Sequence, residues 1–371
     1  MNLGIRTVAA GRPADPVLAN WQEQVRSAVA QGTALVIEGG RSKSFYGRPS
    51  AGETLATAAY QGIIDYEPTE LVIAARCGTP LAEIDAALAE RGQLLAFEPP
   101  RFGGSPTLGG VVAAGLSGPR RMAVGAVRDF VLGARLLDGK GELLNFGGQV
   151  MKNVAGYDVS RLLAGSLGCL GVLVEVSLKV LPRPLEEATL HFDLSEAEAF
   201  DRFEGWAGQS LPISASAWFE GALRLRLSGA GPAVAAARRT LGGEVLEEGE
   251  ALAFWTGLRD QTAAFFALGS AALIRLALPA GTPVIPLPGP PLIEWGGAQR
   301  WCRTEPSRLA ELRALAVARG GHATLFRAPS GRDAGAVFTP LSAPLLRIHR
   351  ALKQRFDPAG VFNRGRMYAE L

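Results

Sequence analysis

Sixteen of the chain's 46 glycines fall in the 71 residues from Arg101 to Gly171, about twice an even share. Glycine reaches positive φ without steric cost and lets a backbone pass close to whatever lies beside it. One such loop is a turn. A series of them, each set between short apolar runs, points to backbone wrapped around a flat, phosphorylated ligand. The alternative is a β-rich domain with many tight turns, and the glycine count alone does not separate the two.

The bulk properties narrow the field. With 371 residues the chain has room for two domains with proper cores. A net charge of +3 and no basic run interleaved with aromatics argue against nucleic-acid binding. Cys77, Cys169 and Cys302 are widely spaced and form no CxxC, so neither an iron–sulfur cluster nor another metal site is expected within the chain. The sparse cysteines fit a reducing cytoplasm. No apolar window approaches a membrane span, so the expectation is a cytoplasmic protein held at the inner membrane, if at all, through partners.

Apolar spacing predicts a helix over residues 16–31, stopped by Gly32, and a buried strand over 34–38. The strand runs into GGRSKS, residues 39–44. Backbone N–H groups there could form an anion nest with Arg41, Lys43 or Ser44 as added donors, although the run is neither a Walker A sequence nor GxGxxG; the alternative is a charged surface turn. Strands are expected at 62–66, 71–75 and 94–97, with a helix from Thr79 or Pro80 to Arg91, Thr79 capping it. Residues 108–116 (LGGVVAAGL) read as a helix small on every face. Such a helix can approach a cofactor, its N-terminus favouring phosphate, or can pack closely in a core. Arg128 and Asp129 read as an ion or capping pair before a strand over 131–137, and Asp138-Gly139 begins a hairpin to 142–146. Residues 159–164 read as a helix and 172–180 as a long strand. Beyond Pro182-Arg183-Pro184 the character changes: strands at 185–194, 215–227 and 323–327 and helices at 196–209, 232–241 and 308–318 read as a mixed cap, with a proline-rich loop at 279–291. Residues 344–356 form an amphipathic helix stopped by Asp357-Pro358.

Five stretches, in order, resemble the FAD-binding domain of the vanillyl-alcohol oxidase / p-cresol methylhydroxylase (PCMH-type) flavoprotein family: 37–45, 103–119, 125–143, 152–182 and 356–368. The resemblance covers roughly the first half and the last thirty residues. It implies an α+β fold: a two-subdomain FAD-binding domain over residues 1–181, a smaller mixed α/β cap over 182–343, and a segment, 344–371, returning to the FAD domain. It also implies a set of cofactor-binding residues. Gly39, Gly40, Arg41, Ser42, Lys43 and Ser44 would grip the FAD pyrophosphate. Gly103, Gly104, Ser105, Thr107, Leu108, Gly109, Gly110, Ala113, Gly115, Ser117 and Gly118 belong to the second stretch. Lys152, Gly156, Tyr157 and Asp158 would lie along the isoalloxazine ring, where Lys152 or Asn153 could tune its charge. Gly165, Gly168, Gly171 and Val172 would reach the adenosine end through backbone groups. Many relatives read Glu-Gly-Thr-Leu-Gly where this chain has Leu167-Gly168-Cys169-Leu170-Gly171, so a backbone role carries over and a Glu or Thr side-chain role does not. Asn363 or Arg364 in the tail would lie near the flavin or simply dock the tail.

The chain has three histidines, His191, His322 and His349, and none before residue 191. Some relatives tether FAD through a histidine in the N-terminal half, so FAD is expected to be non-covalent here. Related 2-hydroxy-acid dehydrogenases also carry a histidine-rich HxGDGNxH-type segment in the cap, and nothing like it occurs after Pro182. Oxidising a 2-hydroxy acid needs a base, a hydride acceptor and a cation for the carboxylate. Arg224 and Arg226 could hold a carboxylate or form a solvated face, and no catalytic residue is assigned. The resemblance implies an FAD-binding subunit of a glycolate-oxidising complex, with D-lactate as a second substrate. It implies two partners: a second flavoprotein subunit carrying the hydroxy-acid site and an iron–sulfur subunit. Electrons would pass to an acceptor such as a quinone. The alternatives are a self-sufficient FAD-dependent hydroxy-acid or alcohol oxidoreductase and a flavin-free scaffold.

Overall fold

The computed structural model describes residues 15–148, 158–329 and 335–371. Helix α1 (Pro16–Gln31) begins at Asp15, whose carboxylate accepts from the Val17 N–H, and ends at Gly32 in the left-handed region. It buries Leu18, Trp21, Val25 and Ala28. Strand β1 (Leu35–Glu38) pairs in parallel with β2 (Glu53–Ala56). The strands β3 (Ile63–Glu67), β4 (Val72–Arg76), β6 (Val131–Leu137), β7 (Leu143–Gly147) and β8 (Val172–Lys179) form one antiparallel sheet in the order β3-β4-β8-β6-β7. Helices α2 (Leu81–Ala89) and α3 (Leu108–Ala114) bury Leu81, Ile84, Leu88, Leu108, Val111 and Val112 in one core with this sheet. A short pair, β5 (Gln93–Leu94) with β9 (Leu181–Pro182), closes the unit.

The second sheet is antiparallel and has eight strands among the described residues. They are β10 (Glu186–Asp193), β11 (Ile213–Phe219), β12 (Ala222–Gly229), β13 (Glu244–Val245), β14 (Ala272–Ala277), β15 (Leu292–Glu294), β16 (Gln299–Thr304) and β17 (His322–Arg327). Their order is β13-β10-β12-β11-β15-β16-β14-β17. A row of ion pairs joins this sheet to the segment ahead of and behind α3. Glu98 meets Arg226 at 2.8 Å and Arg120 at 3.4 Å, and Arg120 reaches Glu187 at 2.5 Å. Arg226 is therefore buried and paired, not part of a solvated face, while Arg224 stacks on Phe254.

Several local expectations change. Residues 215–227 are not one strand but a hairpin, because Glu220 and Gly221 both take positive φ between β11 and β12. Thr79 does not cap α2; its hydroxyl exchanges hydrogen bonds with the backbone of Gly62. Of the expected 94–97 strand only Leu94 pairs with a neighbour, within the two-residue β5. Asp129 does act as a cap, accepting from the Ala126 N–H at 2.9 Å, but it stands 4.0 Å from Arg128 in an exposed pair.

The tail helix (Ala343–Phe356) brings the chain back to the first unit. The tail then runs beside β1: the Leu35 N–H donates to Val361 O, and the Asn363 N–H to Leu35 O. Lys353 and Asp357 fix this return. The Lys353 ammonium donates to Asp357 Oδ2, Cys169 O and Phe362 O, each at 2.8 Å. Asp357 is fully buried and also accepts from the Val361 and Phe362 N–H groups. Removing one partner strands a buried charge, a loss of about 3 kcal/mol or more. Asp357→Ala is therefore expected to lower stability by about that amount in urea unfolding, whereas the exposed Asp158→Ala costs under about 1 kcal/mol.

Candidate functional site

A cleft of about 300 Å³ opens where the C-terminal end of β1, helix α3, the turn before β8 and the tail converge. The loop 39–44 forms one wall. Arg41 sits at φ 57, and both the Ser44 N–H and its hydroxyl donate to Arg41 O, curling the loop. The loop lies so close to the segment before α3 that a Cβ on Gly40 would overlap the Ser105 carbonyl, and one on Gly39 the Thr107 hydroxyl. Glycine at 39 and 40 is thus needed for a backbone-to-backbone fit.

Thirteen of the residues proposed from the sequence line this cleft: Gly39, Gly40, Arg41, Ser42, Lys43 and Ser44 from the loop, Thr107, Gly109, Gly110 and Ala113 around α3, and Gly168, Gly171 and Asn363 on the far side. The other described ones lie elsewhere. Gly103, Gly104 and Ser105 are exposed in a turn behind the wall, and Leu108 and Val172 are core residues. Gly115 and Gly165 face each other, with room for no Cβ on Gly115, whose Cβ would sit 2.7 Å from the Gly165 Cα. Asp158 caps the short helix after it, holding Ser160 Oγ and the Arg161 N–H. Lys152, Asn153, Gly156 and Tyr157 lie outside the described residues.

The amides at the start of α3 are not free. Leu108 N–H donates to Thr79 O, Gly109 N–H to Cys77 O, and Gly110 N–H to Thr107 Oγ1. The expectation of a phosphate at this helix N-terminus therefore lacks donors. Asn363 is also committed to the protein: its Oδ1 accepts from Ile37 N–H and its Nδ2 donates to Leu167 O. Arg364 turns away to Gly32 O at the end of α1. The cleft-lining residues missed by the sequence reading include Thr57, Cys77 and Arg366. Thr57 follows β2, a strand whose apolar pattern is too short to detect. Arg366 spans Tyr46 O and Ser44 O, and burial lowers its pKa.

Lys43 is the group that needs a ligand. It is 9 % exposed, its ammonium donates only to Ser42 Oγ, and it rests 5.6 Å over the Phe102 ring. Among the described residues no carboxylate lies within ion-pair distance of it. Burial lowers its pKa to about 8, against a smaller raising effect of Asp260 and a lowering one of Arg101. A cation so placed is stabilised by an anion entering the cleft.

A second recess lies between the 116–118 turn, just after α3, and the second sheet. Ser117 and Gly118 line it. Opposite them stand Arg275 on β14, Glu294 at the end of β15, and Gln299 and Trp301 on β16. Glu294 is 4 % exposed and accepts from Trp301 Nε1 at 2.6 Å and Gln299 Nε2 at 3.0 Å. Burial raises its carboxyl to about 7. No histidine lines either space. His191 is near Asp193, His322 opens β17, and His349 contacts Leu345 O on the tail helix. Among the described residues no group of three or more His, Cys, Asp or Glu is placed to hold a metal ion, and no helix is long and apolar enough to cross a membrane.

The fold and cleft define a flavoprotein class: residues 18–147 match the family described as FAD binding domain. Across 92% of the chain and 74% of the other, the fold superposes on alkyldihydroxyacetonephosphate synthase with a TM-score of 0.64 at 13% identity. Within that class the chain belongs to the glycolate oxidase subunit GlcE family, being 52% identical to the Escherichia coli (strain K12) protein of that name over 94% of this chain and 97% of the other. It is also 34% identical, over 44% of its length and 35% of the other's, to a D-2-hydroxyglutarate dehydrogenase from Xanthomonas citri pv. viticola.

The depressed Lys43 pKa has a stability consequence. Unfolded, the side chain titrates at its ordinary value of 10.5. Between about pH 8 and 10.5 the unfolded state binds more protons, so this group makes stability rise with pH there and penalises folding below 8. Lys43→Met should remove that slope and add up to about 3 kcal/mol at pH 7 in the ligand-free protein, measured by denaturant unfolding at pH 7 and 10.

Proposed function

We propose that the chain is the FAD-carrying subunit of a multi-subunit complex that oxidises glycolate, with D-lactate as a second substrate, to the 2-oxo acid and passes the electrons to an acceptor. The observation that carries the reading is Lys43: a buried, desolvated ammonium without a carboxylate partner, set in a glycine-walled cleft. The diphosphate of FAD supplies the anion this group lacks. Loop 39–44 and Lys43 would hold the diphosphate, with Arg366 adding positive charge. The glycines at 109, 110, 168 and 171, with Ala113, would let the ligand approach the backbone. When bound, FAD supplies two-electron chemistry.

The cofactor would be held without a covalent tether. Cys77 is the thiol at the cleft, and burial pushes its pKa up, so it stays protonated and a poor nucleophile. Residues 1–181 with 344–371 would serve as the FAD unit and 182–343 as the cap. The relative's name as a subunit supports assembly with other chains, proposed here as a second flavoprotein and an iron–sulfur subunit. A cytoplasmic location, with attachment to the inner membrane through those partners, follows from that assembly. The flavin-free scaffold is disfavoured because it leaves Lys43 buried with no compensating charge.

The purified chain should show an oxidised-flavin spectrum with about one FAD per chain. Lys43→Met should weaken FAD at least about tenfold, since a charge-assisted phosphate contact is removed. Glycolate-dependent acceptor reduction by the reconstituted complex should require this chain. A chain that stays colourless after refolding with FAD would sink the reading.

A further inference from the structure

The tail helix (Ala343–Phe356) has two sides with different fates. The inner side packs Leu352 and Phe356 into the core of the first sheet and seats Lys353 on Asp357. The outer side leaves Leu345 48 % and Ile348 55 % exposed, about one turn apart, with Pro344 and Ala351 exposed beside them. Other large exposed apolar side chains, such as Val29, Leu252 and Val317, stand on separate elements. Single exposed apolar residues are ordinary; a ridge of them on one helix face asks for a cover.

The charge on the same face is one-signed. Arg347, Arg350 and Arg355 are all exposed, and the helix holds no Asp or Glu. Among the described residues none of the three meets a carboxylate. Elsewhere exposed arginines find one nearby: Arg26 meets Glu23, Arg161 meets Asp158 and Arg308 meets Glu311. Like charges about one turn apart repel, and an external carboxylate would relieve them. Beside the helix lies an apolar recess of about 130 Å³, lined by Val337, Phe338, Leu341, Leu346 and Met367, with Arg48 and Glu370 also in its wall. That is close to the ~150 Å³ that accepts a benzene ring. By helical spacing Arg347 and Arg350 stand between the Leu346 flank, which lines the recess, and the Ile348 flank. The recess also adjoins the cofactor cleft, since Arg366 lines the cleft and the next residue, Met367, lines the recess.

We propose that this face docks an acidic segment of another subunit of the complex. Its carboxylates would meet Arg347, Arg350 and Arg355, its apolar ridge would cover Leu345 and Ile348, and one apolar side chain would enter the recess as an anchor. The inference rests on the multi-subunit reading above and adds to it the place of contact and the chemistry of the partner. A partner seated there stands beside the wall of the cofactor cleft. The page favours a protein over a lipid surface for two reasons. The cations are all arginine, whose planar fork pairs with carboxylates two bonds at a time. The broad apolar side of the helix is already spent on the core, so the outer ridge is too narrow to sink into a bilayer as an interfacial helix does.

The test is co-expression of the full chain with the second flavoprotein and the iron–sulfur subunit, followed by sedimentation velocity of the purified material. The wild-type chain should join at least one of them, and the affinity should fall at least about tenfold between about 50 and 500 mM salt. Arg347→Glu with Arg350→Glu should weaken assembly by about tenfold or more, and so should Ile348→Asp. Arg238→Glu with Arg239→Glu, an exposed basic pair on the cap helix Gly231–Leu241, should leave it unchanged. All variants should keep the FAD content and urea midpoint of the wild type. In Arg350→Lys, carbodiimide coupling should give a cross-link to the partner that the wild type lacks, because it joins an amine to a carboxylate in contact with it. A wild-type complex whose assembly is indifferent to the tail-helix variants overturns this inference alone. So do tail-helix variants that change only self-association of the lone chain, or only its binding to phosphatidylserine vesicles. A wild-type chain that joins neither subunit overturns the multi-subunit reading and this inference with it.

Discussion

One buried cation holds the architecture of the cleft in place. Lys353 uses all three of its ammonium hydrogens on Asp357, Cys169 O and Phe362 O. Those three acceptors belong to the tail helix end, the turn before β8 and the strand-like tail beside β1. The same ion pair therefore sets where Asn363 stands, and Asn363 in turn ties Ile37 to Leu167 across the cleft. The far wall of the cleft depends on a contact between residues almost two hundred positions apart. A buried ion pair adds little net stability over an apolar replacement, but it has one good geometry, and that fixes the tail in a single register.

The glycines divide into two groups with different reasons. Gly39 and Gly40 let the loop lie against Ser105 and Thr107, and Gly109 lets α3 lie against Cys77, whose Cβ would stand 2.7 Å from an added Cβ. These close approaches shape the cleft, which all three glycines line. Gly115 and Gly118 meet Gly165 and Glu98 and belong to packing, while Gly171, close to Leu137, also lines the cleft. Within the glycine-rich stretch Gly109, Gly110, Gly168 and Gly171 line the cleft, while Gly115 and Gly118 serve close packing.

Charge is distributed in the same economical way. Most arginines near the junction of the two sheets are paired or stacked: Arg226 and Arg120 with Glu98, Arg327 over Phe45, Arg121 over Trp295. Against that background Lys43 is poorly partnered: among the described residues its buried ammonium donates only to Ser42 Oγ.

Helix α1, the strands at 35–38, 131–137 and 172–179, helix α3 and the tail helix were legible because each carries its own period or its own capping residue. The 39–44 loop was legible as a turn because Gly-Gly follows a strand, and it lies in the wall of the cleft. Strand β2, the helix at Glu248–Asp260 and strands β14 to β16 were not, since short or evenly apolar runs become strands only when a neighbour supplies the hydrogen bonds. Glu294 was invisible for a stronger reason: its sequence neighbours say nothing of the Trp301 and Gln299 donors or of the burial that moves its proton. The sequence by itself determined the flavoprotein class, the strongly periodic elements and the position of the 39–44 turn, which depend on residue type and spacing. Only the tertiary structure decided which glycines line the cleft, which cations are left with few partners, and where a carboxyl is desolvated enough to titrate near neutrality, because burial and partnership are set by residues far apart in the chain.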